Sequence, residues 1–160
     1  VPTGDLFTAP ATPRVERDAV TIEVLGRPSP KGSMRAFVVR GRAVITAGND
    51  SGGLKLWAGL VAAAARESMV GRTLYVNVPL VVSITFRMAR PGGHLLPRGG
   101  LRKSAPRYPS TKPDIDKLAR STLDALTGAV FDDDSRIVSL TCMKVYDETP
   151  GALIIISEMA

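Results

Sequence analysis

Two aspartates, Asp114 and Asp116, stand at the head of "KPDIDKLARSTLDALTGAVFDDDSRIV", residues 112–138, and three more, Asp132, Asp133 and Asp134, stand near its end. Carboxylates drawn together repel one another and raise each other's pKa values unless a cation neutralises them. Mg²⁺ suits that role, taking octahedral oxygen coordination from one or two carboxylates with water and substrate phosphate in the remaining positions. An acidic metal site on a basic protein is the arrangement that phosphodiester hydrolysis needs. The basic residues hold the anion while the metal activates water and stabilises the departing oxygen. Arg120, four residues after Asp116, shares its helix face and could put a cation beside the phosphate under attack. The plainer alternative for Arg120 is an ion pair with Asp116 or Asp124.

The segment between the acids reads as one helix from about Pro113 to Leu126, with Ile115, Leu118, Ala119, Thr122 and Leu126 on one apolar stripe. Inside a regular helix, residues two apart point about 200 degrees from each other, so Asp114 and Asp116 can converge only at its end. An extended Asp114 at the cap with Asp116 in the first turn achieves this, and Pro113 fits by disfavouring helix at Lys112. Acids at a helix start also cap free amides and complement the dipole, which is the structural alternative for this pair. Gly128 closes the helix. "RIVSLTCMKVY" then reads as a strand that could return alongside the helix start, bringing one acid of the Asp132–Asp134 run to the cluster; a polar turn is the alternative.

The rest of the chain must position this constellation. Its 160 residues have the size of one domain, and 44% hydrophobic residues exclude wholesale disorder. A net charge of +6 favours a polyanionic partner, nucleic acid ahead of a membrane surface. The single Cys142 cannot form an internal disulfide, and a lone His94 cannot build a zinc site with it. We expect no secretory signal and no membrane span, hence an intracellular protein. Residues 1–18, rich in Pro, Thr and Ala, read as a flexible arm, and residues 19–160 as a single domain.

"AVTIEVLG" alternates as a half-buried strand, "GRPSPKGSMR" is a basic loop carrying Lys31 and Arg35, and "AFVVRGRAVITA" reads as two short strands. Leu54 to about Val70 is helical, with Trp57 on the core stripe. "LYVNVPLVVSITFRM", residues 74–88, reads as one long strand in which Pro79 suggests an edge or a bulge. Residues 87–112 form a basic loop: Arg87, Arg90, Arg98, Arg102, Lys103, Arg107 and Lys112 are seven positive charges with no acid among them. Such a loop is either mobile and solvated or a phosphate-gripping arm that orders on binding, with Tyr108 and His94 as stacking or groove contacts.

These residues resemble the RusA-type Holliday junction resolvases, small endonucleases typical of bacteria and their phages. The family's motif runs Lys-Pro-Asp-apolar-Asp-Asn, a helix with Asp-Ala-Leu, then Asp-Asp-Ser, and "GRPSPKGSMR" is similar to its early Gly-x-Pro-x-Pro-Lys-Gly stretch. The resemblance spans roughly Val20 to Tyr146. It implies an α+β fold, a small mixed sheet with two main helices, and a homodimer. The implied activity is Mg²⁺-dependent, with Mn²⁺ as a substitute, and makes paired symmetric nicks in four-way DNA junctions. The implied setting is the cytoplasm of a bacterium or a phage-infected host. The metal-binding acids fall on Asp114, Asp116 and Asp134, with Asp133 as a helper. The family's basic residue on this helix face, usually Lys, falls on Arg120, which keeps the charge on a wider fork and is the implied catalytic cation. Lys117 stands where the family has Asn, and Lys144 matches a basic position on the last strand. Lys31, Arg35, Arg98, Arg102, Lys103, Arg107 and Lys112 are the expected DNA contacts. The rival readings are a metal-dependent nuclease for other branched DNA and a catalytically silent nucleic-acid-binding module.

Overall fold

Alternation of apolar and polar residues decides which face of the sheet is buried. The computed structural model describes residues 19–32, 34–39, 42–47 and 52–160, the second and third of these ranges by their backbone; the expected arm at residues 1–18 lies outside the described residues. The elements are β1 (Val20–Leu25), β2 (Met34–Val39), β3 (Arg42–Ala47), α1 (Gly53–Ser68), β4 (Leu80–Ala89), α2 (Ile115–Leu126), β5 (Ile137–Asp147) and β6 (Gly151–Glu158). Four strands form a mixed sheet in the order β1-β6-β4-β5, and β2 and β3 form a separate antiparallel pair. With its two helices, the fold is α+β, as the sequence implies.

Register carries the buried face across the sheet. Ile22 lies opposite Ile154, which lies opposite Ile84, which lies opposite Cys142. Trp57, Val61 and Ala65 of α1 and Leu118 and Leu126 of α2 complete the same core. Trp57 is fully buried, and its indole N–H donates to the Thr122 hydroxyl at 3.1 Å, tying α1 to α2. Thr122→Val removes that acceptor and strands a buried donor. We expect a loss of about 1–3 kcal/mol, read from urea unfolding.

Two strands differ from the sequence expectation. β4 begins at Leu80, after Pro79, because it is paired on both sides and a residue without an N–H cannot serve inside it. Asn77, at φ 55, turns the chain just before. Arg87 consequently belongs to β4, where it pairs with Glu23 of β1 at 2.8 Å, and is not part of the basic loop. The unexpected strand is β6. Its run of apolar residues makes it a central strand, paired to β1 and β4, whereas β5 had been read as the last strand.

β4 and β5 are parallel, and the crossover between them contains the basic segment and α2. Lys144 of β5 donates to the carbonyls of Thr111 at 2.8 Å and Pro113 at 2.9 Å, fixing the start of α2 beside the late part of β5. The far end of α2 is tied to the early part: Thr127 bridges Phe131, and Asp132 N–H donates to the Tyr75 carbonyl shortly before β4 and β5 begin. The helix therefore runs antiparallel to β5.

Candidate active site

Asp114 is the N-cap of α2, with the extended backbone that lets its carboxylate turn toward the first helical turn (φ −69, ψ 137). It does not cap an amide. Its Oδ2 accepts from Lys117 Nζ at 2.8 Å. That hydrogen bond, and then the ammonium charge, hold the Asp114 carboxyl below its ordinary value; Asp114, followed by the charge of Asp116, raises Lys117. The lowered acid stabilises the fold above its unfolded value of 3.8 and loses that contribution as pH falls through the lower folded value. The raised base contributes below 10.5 and loses this as pH rises through its higher folded value. The pair is thus charged across the neutral range. Lys117 feels both carboxylates, so it stands where a cation is wanted.

Asp116 lies in the first turn, exposed and without a protein partner among the described residues. Arg120 is exposed and equally free. The ion pair with Asp124 considered for it is taken up by Lys31, whose Nζ lies 2.6 Å from Asp124 Oδ2. The early basic loop is laced along α2 by two further bonds, Ser121 Oγ to the Ser29 carbonyl at 2.7 Å and Lys31 N–H to the Lys117 carbonyl at 3.1 Å. Arg120 is left pointing its charge outward, available for a phosphate.

The downstream acids do not join this group within one chain. Asp134 opens a short 3-10 turn, Asp134–Arg136, that leads into β5. Since β5 runs antiparallel to α2, its beginning lies at the helix C-terminus, and on the order of 20 Å of strand separates it from the level of Lys144 at about 3.3 Å per residue. The strand does return beside the helix start, but it leaves its acids at the other end. Among the described residues no three of His, Cys, Asp and Glu come together as a metal-holding group. Asp133 caps the turn, accepting from Ser135 N–H at 2.8 Å, and Asp132 pairs with Arg136 at 3.0 Å. Hydrogen bonds from Ser135 and Arg136, respectively, lower both carboxyls. Asp134 alone of the three has no partner among the described residues.

Asp114 and Asp116 nevertheless fit a hard divalent ion, which needs only one or two carboxylates when water and phosphate complete its shell. The basic segment leads into them along the crossover from β4. Residues 92–105 carry their own backbone hydrogen bonds, among them Leu96 to Gly100 and Arg102 to His94. Arg98, Lys103 and Lys112 are exposed, Arg107 lies 5.4 Å from the Tyr108 ring centroid, and Arg102 Nε bonds the Leu95 carbonyl. The Arg35 side chain lies outside the described residues. Sequence reasoning missed Arg90, whose guanidinium covers Tyr146 at 4.2 Å; an arginine and an aromatic at the ends of neighbouring parallel strands were the available signal.

A family model described as endodeoxyribonuclease RusA matches residues 26–157. The chain is also similar to an uncharacterised protein, YqaN, of Bacillus subtilis (strain 168), at 26% identity over 147 residues, covering 89% of this chain and 99% of that protein. With the family match spanning both helices and reaching into three of the four strands of the main sheet, β4, β5 and β6, the chain belongs to the RusA endodeoxyribonuclease family, Holliday junction resolvases that hydrolyse phosphodiester bonds in branched DNA.

Proposed function

We propose that this protein is a Mg²⁺-dependent resolvase that cuts four-way junctions by paired symmetric nicks, working as a homodimer in which each metal site takes Asp114 and Asp116 from one copy and Asp134 from the other. RusA resolvases are generally dependent on a divalent metal. The observation that carries the reading is the placement of Asp116 in the first turn of α2, with Arg120 one turn further along, and of Asp134 beyond the other end, all three side chains without a partner among the described residues. When bound, the ion supplies Lewis acidity at the scissile phosphate. Arg120 holds that phosphate from one helical turn away, and Lys144 fixes the approach to α2 through the Thr111 and Pro113 carbonyls.

A second copy supplies the missing acid through simple geometry. β5 is an edge strand, and its Val138, Leu140 and Met143 are 60%, 44% and 52% exposed, an apolar edge of the kind that calls for a cover. A two-fold axis across β5 at Ser139, near its start, sets the two strands antiparallel, so each Asp134 arrives at the level of the other copy's Lys144 and α2 start. A four-way junction is itself two-fold symmetric, and two such sites cut two like strands.

Nicking of an end-labelled four-way junction, with linear duplex as control and with and without Mg²⁺, tests the function. Symmetric cuts in the junction alone and only with metal are expected; tight binding with no cutting in Mg²⁺ or Mn²⁺ would leave a silent DNA-binding module, the reading that the Asp114–Lys117 ion pair favours. Binding follows from phosphate contacts and weakens steeply with salt. Replacing both Arg98 and Lys103 by Ala should lower the slope of log affinity against log salt by about 2, alike for junctions of different sequence, as read by fluorescence anisotropy.

Lys117 competes with the metal for Asp114. Lys117→Asn should therefore tighten Mn²⁺ binding by about tenfold, the order expected from removing a unit charge a few Å from a divalent ion. Titration calorimetry of the DNA-free protein reads this without reference to activity.

A further inference from the structure

The C-terminal ends of β4 and β5 and the basic hairpin between them enclose a cavity of about 460 Å³, lined among others by Arg90, Leu95, Leu101, Tyr146, Asp147 and Glu148. That volume is within the range of roughly 300–1,000 Å³ of pockets that bury a small ligand. Tyr146 is two residues beyond Lys144 and on the same strand face, so the cavity opens about 7 Å of strand from the level at which α2 begins.

One wall is a fixed planar stack. The Arg90 guanidinium lies 4.2 Å over the Tyr146 ring and is held by the Pro106 carbonyl at 2.9 Å, while His94 meets the same ring edge-on at 5.6 Å between centroids. Leu95 and Leu101 add apolar lining; they are bridged to each other across the hairpin and exposed by 42% and 54%. The rest of the lining has the wrong charge for a phosphate: Asp147 and Glu148 are carboxylates beside an otherwise basic segment. Asp147 Oδ1 accepts from Thr149 N–H, and Glu148 has no partner among the described residues. Flat apolar walls and free carboxylate acceptors suit a planar ring that carries an N–H₂ group.

We propose that this cavity receives one unstacked nucleobase of the bound junction and favours the amino-bearing bases adenine, cytosine and guanine over thymine. The basic hairpin grips the phosphates on its outer surface while the base enters beneath it, against the Arg90–Tyr146 stack, with its amine on Asp147 or Glu148. This deepens the resolvase reading and rests on it, giving the enzyme a base preference at a site that otherwise reads only phosphate.

The test is binding of the wild-type protein, without divalent metal so that nothing is cut, to junctions that differ only in the branch-point nucleotides: guanine, cytosine, adenine, thymine or abasic. Thymine and abasic junctions should bind about tenfold more weakly than the others, within the roughly 1–3 kcal/mol of one good base contact. The Asp147→Ala, Glu148→Ala double variant, which removes both acceptors and with them the bond from Thr149 N–H, should bring the thymine ratio close to one while retaining phosphate-driven binding. Equal affinity for all five junctions, or discrimination against thymine that survives in the double variant, would overturn the base pocket and leave the resolvase reading standing. Loss of preference for any junction over linear duplex would overturn both.

Discussion

Asp116→Asn protein is expected to bind a four-way junction at least as tightly as the wild type and to cut it at least about 100-fold more slowly, since even groups that merely support a metal ligand contribute about 10–100-fold. Asp116 neither caps α2 nor pairs with another side chain among the described residues, so the amide removes a charge without stranding a partner. Removing a negative charge close to the phosphate lowers its repulsion toward DNA, which favours binding. Asp134→Asn should lose cutting to the same degree, although Asp134 is at the opposite end of α2. Asp132→Asn, by contrast, loses the ion pair to Arg136 and should still cut. Junction binding by gel shift, rates from labelled-strand nicking and a thermal melt separate the chemical loss from any loss of fold. A wild-type rate in Asp116→Asn would reduce the acids at the helix start to a helix-dipole role.

The local features of this chain were legible because they depend on near neighbours. The stripe Leu118, Ala119, Thr122, Leu126 predicts the buried face of α2, and Pro113 with Asp114 predicts its start to within two residues. Trp57 declares itself as core by its helical spacing with Val61 and Ala65. What sequence pattern could not give was direction. Nothing in "FDDDSRIV" says whether its acids or the later Lys144 will lie beside Asp114, because that depends on β5 pairing parallel to β4, a contact between residues far apart in the chain. Pro79 suggests an edge or a bulge within one long strand because the alternation of Leu74, Val76 and Val78 continues into β4 without a visible break. Arg87 was counted with the loop for a similar reason: charge composition is blind to the alternation that places it opposite Glu23 on the helix-free face. The central strand β6 escaped because a short, uninterrupted apolar run has no period to recognise.

The metal site built across two copies is the claim on which the mechanism turns, and a mixed dimer tests it. In a dimer of one Asp116→Asn chain and one Asp134→Asn chain, a site shared between copies places both substitutions in one site and leaves the other wholly wild type. If each site belonged to one chain, both would be broken. The measurement is nicking of a labelled four-way junction in Mg²⁺ by the two variants separately, by their co-refolded equimolar mixture and by the wild type. Two silent parents are expected, and a mixture that cuts one strand at a time with about one quarter of the wild-type number of sites, half of the dimers being mixed and each holding one intact site. A mixture as silent as its parents, beside an active wild type and with exchange of subunits demonstrated, would contradict the shared site and return all three aspartates to a single chain.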